Sequence, residues 1–127
     1  MRIDRLDHLV LTVADIAATV NFYTRVLGMT EASSGPGRTA LVFGRTKINL
    51  HLAGHEFEPK ADRPAPGTGD FCLITTDPME QVIAELTAHG VPVEVGPVER
   101  AGALGPMLSV YFRDPDQNLV EVSRYPA

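Results

Sequence analysis

Three polar residues interrupt apolar, strand-like segments of the chain. His8 lies in Leu-Asp-His-Leu-Val-Leu, His51 in Ile-Asn-Leu-His-Leu and Glu121 in Asn-Leu-Val-Glu-Val. Two imidazoles and one carboxylate form the ligand set of an open divalent-metal site. Because alternate residues of a strand point to opposite faces, each polar side chain can lie on one face while its neighbours fill the other. If the three faces coincide, the chain binds one divalent ion, with zinc, nickel, manganese and iron all open.

Length and composition limit the possible functions. With 127 residues, 44% of them hydrophobic, we expect one domain. A net charge of −5, no basic cluster and no Trp argue against nucleic-acid binding. The N-terminus lacks a signal-peptide pattern, and no apolar run approaches the roughly 20 residues of a membrane span. Since no such span is present, we expect a protein that does not bind membranes. The single cysteine, Cys72, excludes an intrachain disulfide, so we expect a cytoplasmic protein. The apolar neighbours of Cys72 predict a buried, unreactive thiol.

The chain contains two similar halves. Asp15 has the character of a helix N-cap and Gly28 of a helix-ending glycine, and Asp77 and Gly90 repeat the pair 62 residues later. Pro78 would occupy the first helical position of the second helix. Apolar alternation and turn residues predict eight strands. The predicted strands are 6–13, 29–33, 38–43, 47–52, 71–76, 91–95, 107–112 and 118–123.

These elements predict an α+β fold built from two βαβββ modules. We expect modules at 1–54 and 68–125, joined by a surface linker at 55–67, within one domain of 127 residues. Glu121 follows His51 by 70 residues rather than 62, which places eight extra residues in a Gly/Ala/Pro-rich loop at 99–106. The sheets would be mostly antiparallel and would form a cup-shaped, eight-stranded half-barrel with the helices outside.

Alternation along the strands predicts which residues the helices cover. The aliphatic sets should face the helices: Leu9, Leu11 and Val13; Ile48, Leu50 and Leu52; Leu108, Val110 and Phe112; Val120 and Val122. The helix-free face should then carry the polar residues His8, Asn49, His51, Ser109, Tyr111 and Glu121.

The offsets also pair positions between the two halves. His8 corresponds to Asp70 and His51 to Glu121, and all four residue types can bind metal. A lone strand histidine is more often a hydrogen-bonded or exposed residue, and a strand glutamate is often only exposed. Asp70 could instead cap the turn that precedes it. Asn49, Ser109 and Tyr111 are candidate substrate contacts, although Ser109 and Tyr111 could equally pack inside the cup.

Several motifs together resemble the vicinal oxygen chelate superfamily, which includes glyoxalase I, fosfomycin-resistance enzymes, extradiol dioxygenases and bleomycin-resistance proteins. The motifs are Leu6-Asp7-His8-Leu9-Val10-Leu11, then Asp15 with Phe22-Tyr23 and Leu27-Gly28, and the segment from Tyr111 to Glu121. The segments 47–51 and 56–60 are similar to the subgroup of small glyoxalase domain-containing protein five.

The resemblance implies a paired βαβββ cup around a divalent ion, in a homodimer whose sites combine modules of both chains. It carries the metal ligands onto His8, His51 and Glu121, while the family's fourth ligand position, often His, falls near Asp70 or Phe71. The implied reaction is Lewis-acid catalysis on two adjacent oxygens of a small-molecule substrate. Candidates for the general base are Asp70, Glu121 and Tyr111.

The function we expect is a metal-dependent lyase or isomerase of glyoxalase type. A metal-free protein that binds a drug or metabolite in the same cup, as bleomycin-resistance proteins do, is the alternative from a different class. An extradiol-type dioxygenase would suit the ligand trio, although no further histidine is evident near it. A fosfomycin-type thiol transferase would need a basic cluster, for which only Lys47 and Arg100 are at hand.

Overall fold

The computed structural model describes all residues from 1 to 127, which divide into two compact units, 1–68 and 69–127. Each unit has the order βαβββ. The first contains β1 (His8–Val13), α1 (Ile16–Arg25), β2 (Thr30–Gly35), β3 (Arg38–Phe43) and β4 (Thr46–Leu52). The second contains β5 (Asp70–Ile74), α2 (Met79–Ala88), β6 (Val95–Gly102), β7 (Gly105–Arg113) and β8 (Leu119–Arg124). The predicted α+β class with two repeated modules is confirmed.

Each unit forms one mixed four-stranded sheet. The strand orders are β1-β4-β3-β2 and β5-β8-β7-β6. The first strand of each unit pairs in parallel with the last, and the other neighbours pair antiparallel. A parallel pair requires a crossover connection, which the helix and two further strands provide in each unit. Neither helix is long and apolar enough to cross a membrane.

The helix boundaries follow the predicted signals, with one exception. The Asp15 carboxylate accepts a hydrogen bond from the Ala18 N–H at 3.0 Å and caps α1. Gly28 and Gly90 both have φ near +70°, the left-handed conformation that ends a helix. The exception is Asp77. The N-cap position of α2 is Pro78, and no side chain caps this helix.

The predicted strand 91–95 and the predicted loop 99–106 are wrong. The strand β6 begins at Val95 and continues to Gly102, and a two-residue turn leads into β7 at Gly105. Gly105 has φ +119°, which side-chain-bearing residues rarely adopt, so the glycines that indicated a loop instead permit a tight hairpin. Pairing with β7 outweighs the weak local strand propensity of this segment.

The burial pattern agrees with the predicted faces at most positions. Leu52 and Leu108 were expected under the helices, but they are 38% and 41% exposed. Leu9, on the edge strand β1, is half-buried, and the other predicted positions are buried. These buried residues are Leu11, Val13, Ile48, Leu50, Val110, Phe112, Val120 and Val122.

A buried carboxylate holds the turn between β7 and β8. Asp114 accepts hydrogen bonds from the backbone N–H groups of Asp116 and Asn118, both at 2.9 Å, and from the Asn118 side-chain amide at 2.8 Å. Asn118 in turn accepts from the Gly69 N–H at 2.7 Å, at the entrance to β5. The turn is therefore tied to the strand that follows Gly69.

Candidate functional site

The imidazole of His8 is oriented by its sequence neighbour. Its Nδ1 lies 2.8 Å from the Asp7 carboxylate, and both side chains are exposed. An ionised carboxylate can only accept, so Nδ1 carries the proton, and in the neutral imidazole Nε2 is the nitrogen left to accept or to bind a metal. The hydrogen bond from His8 lowers the pKa of Asp7 below its ordinary value. Metal-binding histidines usually carry such a carboxylate on the second ring nitrogen. Strand alternation gave no signal for this role of Asp7, although Asp7 is adjacent to His8 in the sequence.

The register of the parallel pair separates the two predicted histidine ligands. His8 lies opposite Lys47, and Thr12 lies opposite His51. The histidines are thus offset by four residues, about 13 Å along the strand direction at 3.3 Å per residue. His51 therefore lies beside Thr12 and not beside His8.

The same comparison corrects the pairing between the halves. In the first unit Val10 lies opposite Asn49, and in the second Cys72 lies opposite Glu121. Since Val10 and Cys72 are related by the 62-residue offset, Glu121 corresponds to Asn49 rather than to His51. The expected 70-residue relation is wrong by two residues. A shift of two keeps every side chain on the same face, so alternation alone could not detect it.

Glu121 is held by a chain of hydroxyl groups. Ser123 donates to the Glu121 carboxylate at 3.1 Å, and the Ser109 hydroxyl lies 2.6 Å from that of Ser123. Because the Ser123 proton points to the carboxylate, Ser109 is the donor to Ser123. Ser109, expected to contact substrate, is fully buried. Ser109 therefore supports Glu121 through Ser123 and does not reach the surface where a substrate would bind.

Cys72 was expected to be buried and is exposed. Its sulfur lies 3.2 Å from the Ser123 hydroxyl, and the residue is the register partner of Glu121. Partial burial of the sulfur raises the pKa of the thiol, and the negative charge of Glu121 raises it further. Desolvation first and the neighbouring carboxylate second favour the protonated thiol, so low reactivity of Cys72 stays the prediction although the residue is exposed.

Two other predicted residues lie on the strands around Glu121. Tyr111 is its antiparallel register partner, and the Tyr111 hydroxyl accepts a hydrogen bond from Arg100 at 3.1 Å. The phenolic proton therefore remains available for a further acceptor. Asp70 is exposed at the start of β5, two register positions before Glu121 on the same face.

His51 is packed against an aromatic side chain from the linker. The ring of Phe57 makes an edge contact with His51, with centroids 5.5 Å apart, and the Arg38 guanidinium lies 4.0 Å from the Phe57 ring centroid. Asn49 and Arg38 line a small pocket of about 30 Å³ on one side of His51. On its other side His51 lines a cavity of about 450 Å³ between the sheet and residues 59–68.

Within one copy of the chain, no group of three or more His, Cys, Asp or Glu side chains is arranged to hold a metal ion. The donors described above belong to separate clusters within their own units. Those clusters are His8 with Asp7 in the first unit, and Glu121 with Cys72 and its serines in the second.

Comparison with known proteins places these features in a family. The model of the Glyoxalase/Bleomycin resistance protein/Dioxygenase superfamily matches residues 5–122. The virulence protein STM3117 of Salmonella typhimurium is 53% identical over 125 residues, which are 98% of this chain and 87% of that protein. Its crystal structure has a TM-score of 0.97, covering 99% of this chain and 100% of that chain.

Two further relatives come from a fungus and a bacterium. The glyoxalase domain-containing protein RDO1 of Mycosarcoma maydis is 53% identical over 120 residues, covering 94% of this chain and 68% of that protein. The crystal structure of lactoylglutathione lyase from Agrobacterium tumefaciens is 26% identical, with a TM-score of 0.74, and covers 97% of this chain and 95% of that chain.

Proposed function

Because the chain belongs to the glyoxalase/bleomycin resistance protein/dioxygenase superfamily, we propose that it is a divalent-metal-dependent enzyme of glyoxalase type, a lyase or isomerase of a small molecule. The observation that carries the proposal is the Asp7–His8 hydrogen bond of 2.8 Å, which occupies Nδ1 and leaves Nε2 as the nitrogen that can bind a metal. A bound ion would act as a Lewis acid on two adjacent substrate oxygens.

His8 and Glu121 are the ligands that their surroundings support best. Asp7 sets the tautomer of His8, and the Ser109–Ser123 chain orients the Glu121 carboxylate. Imidazole nitrogen and carboxylate oxygen suit zinc, nickel, manganese and iron alike, so the donor chemistry fits a divalent ion. His51, the third predicted ligand, is offset from His8 by four residues, and we assign it to the substrate instead.

The remaining residues supply proton transfer and orientation. Asp70 is an exposed carboxylate on the face of Glu121 and is our candidate for the general base. Tyr111, whose hydroxyl accepts from Arg100, can donate its own proton to a substrate oxygen. Asn49, at the position equivalent to Glu121, offers an amide for substrate binding in the first unit.

Metal analysis of purified variants tests the ligand assignment. Replacing His8→Asn or Glu121→Gln should weaken metal binding at least tenfold, since each removes one donor at nearly unchanged volume. The matched control is His89→Asn, because His89 is an exposed histidine beyond α2. Full metal content in both ligand variants, by elemental analysis after dialysis, would refute the proposal.

The proposal includes a homodimer in which each site takes His8 from one copy and Glu121 from the other. Mixing the His8→Asn and Glu121→Gln chains after unfolding and refolding then regenerates one intact site in each heterodimer. Random assembly predicts roughly a quarter of the wild-type metal content. A mixture with no more metal than the separate variants would place both ligands in the same copy.

The cavity of about 450 Å³ favours one alternative, a binding protein that acts without metal. Its volume lies in the range of small-molecule pockets. Chelator-treated protein that binds its natural ligand as tightly as the untreated protein would favour this function over the metal-dependent one.

A further inference from the structure

The linker and one face of the first sheet line a cavity in the first unit. Its floor is formed by Val10 and Thr12 of β1 and by His51 of β4. Its wall is formed by linker residues, with Pro59, Lys60, Ala61, Arg63, Pro64, Ala65 and Thr68 in contact with the same space of about 450 Å³. The cavity therefore lies on the strand that carries His8.

The ionisable side chains that line this cavity are all basic. Its lining includes Lys60, whose side chain is 37% exposed, Arg63, whose side chain is 94% exposed, and the His51 imidazole, and no carboxylate lines it. Glu58 and Asp62 lie 3.5 Å from Lys60 and 3.6 Å from Arg63, at surface positions where such ion pairs hold the cations only weakly. Most N–H donors of both cations are thus free to bind another anion.

The rest of the lining is apolar and partly rigid. Val10 is 45% exposed although it lies on a strand, and Pro59, Pro64 and Ala65 come from the linker. Prolines restrict the backbone of this wall, so little conformational entropy is lost when a ligand packs against it. A cavity with a few polar groups in apolar walls is typical of small-molecule sites.

We propose that this cavity binds the anionic end, a carboxylate or a phosphate monoester, of a small organic substrate. Lys60 and Arg63 bind the anion, His51 donates a hydrogen bond to the substrate, and Val10 packs against its carbon chain. Val10 and Thr12 follow His8 by two and four residues on one face, so the cavity floor against which the carbon chain packs lies roughly 7–13 Å from His8. The substrate-length argument rests on the proposed function, whereas anion binding by the cavity does not.

Matched probes measure the anion preference directly. We would titrate chelator-treated protein with 4-phenylbutyrate, its neutral amide and phenyl phosphate, and follow backbone amide shifts by NMR. Both anions should bind at least tenfold more tightly than the amide, because a charge-assisted hydrogen bond adds about that factor. The anion that binds more tightly shows whether the cavity prefers a carboxylate or a phosphate monoester. Equal affinity for acid and amide, or shifts that avoid Val10, Thr12 and Lys60, would overturn the proposal.

Variants separate this proposal from the metal-dependent function. The double replacement Lys60→Gln and Arg63→Gln should reduce binding of both anions about tenfold and leave the amide unchanged, whereas Arg45→Gln, an exposed arginine outside the cavity, should change neither. Metal content should be normal in all of them. Unchanged anion binding in the double variant refutes the anion site even if the protein binds metal.

His51→Asn distinguishes the two roles of this histidine. If His51 contacts the substrate, the variant binds anions less tightly and retains its metal. Loss of metal with unchanged anion binding would make His51 a ligand and overturn its place in this cavity.

Discussion

The hydroxyl chain behind Glu121 predicts a specific non-additivity. Ser123→Ala removes the donor to Glu121 and leaves the Ser109 hydroxyl, 0% exposed, without its partner at 2.6 Å. We expect a loss of about 2–3 kcal/mol, because a buried hydroxyl without a hydrogen bond adds its desolvation cost to the lost bonds. Ser109→Ala leaves Ser123 bonded to Glu121 and should cost only about 1 kcal/mol.

The double variant Ser109→Ala/Ser123→Ala tests whether the two hydroxyls act through each other. With both hydroxyls removed, no orphaned group remains, so the total should be about 1 kcal/mol less than the sum of the single losses. The assay is urea unfolding of the wild type, both single variants and the double variant, with equal m-values as the check on two-state behaviour. Additivity within about 0.4 kcal/mol would mean that the two serines do not act through each other, and would refute the network.

Three further predictions concern stability. Asp114→Ala should destabilise the protein by about 3 kcal/mol, measured by urea unfolding, because three donors, two of them from Asn118, lose a buried acceptor. Asp114→Asn keeps one accepting oxygen and should lose less, and equal destabilisation of both variants would contradict a contribution from each hydrogen bond. The hydrogen bond from Arg113 lowers the pKa of Glu94, so this pair stabilises the fold above pH about 4.5 and the contribution is lost as the pH falls through the lower folded-state value. A Glu94→Gln variant should therefore differ from wild type in thermal melts at neutral pH and converge with it in acid, and a constant difference would contradict this cause. Gly96→Ala should be poorly folded, as judged by circular dichroism and soluble yield, because Gly96 has φ +110° and a Cβ there would collide with a backbone carbonyl oxygen of β7; a normal melting temperature would contradict the collision.

Local signals allowed much of the fold to be predicted from the sequence. The Asp15 cap and the two helix-ending glycines are short-range features whose physics lies within a few residues, and they occur where predicted. The hairpin of β6 and β7 was missed because a strand of low propensity forms only when a partner strand binds it. Its partner begins at Gly105, which composition alone marked as loop.

The candidate site was predictable in its residue types but not in its groupings. Interrupted apolar alternation identified His8, His51 and Glu121, yet it could not show that Asp7 orients His8 or that Ser109 and Ser123 lie behind Glu121. The metal-ligand roles themselves stay predictions until the metal analysis is done.

The sequence by itself determined which face of each strand a side chain occupies, because alternation is a property of the extended backbone. Only the tertiary structure decided the register between strands, which places His51 opposite Thr12 and makes Asn49 the counterpart of Glu121. A slip of two residues preserves every face and changes every neighbour, so this choice depends on packing and hydrogen bonding across the whole sheet.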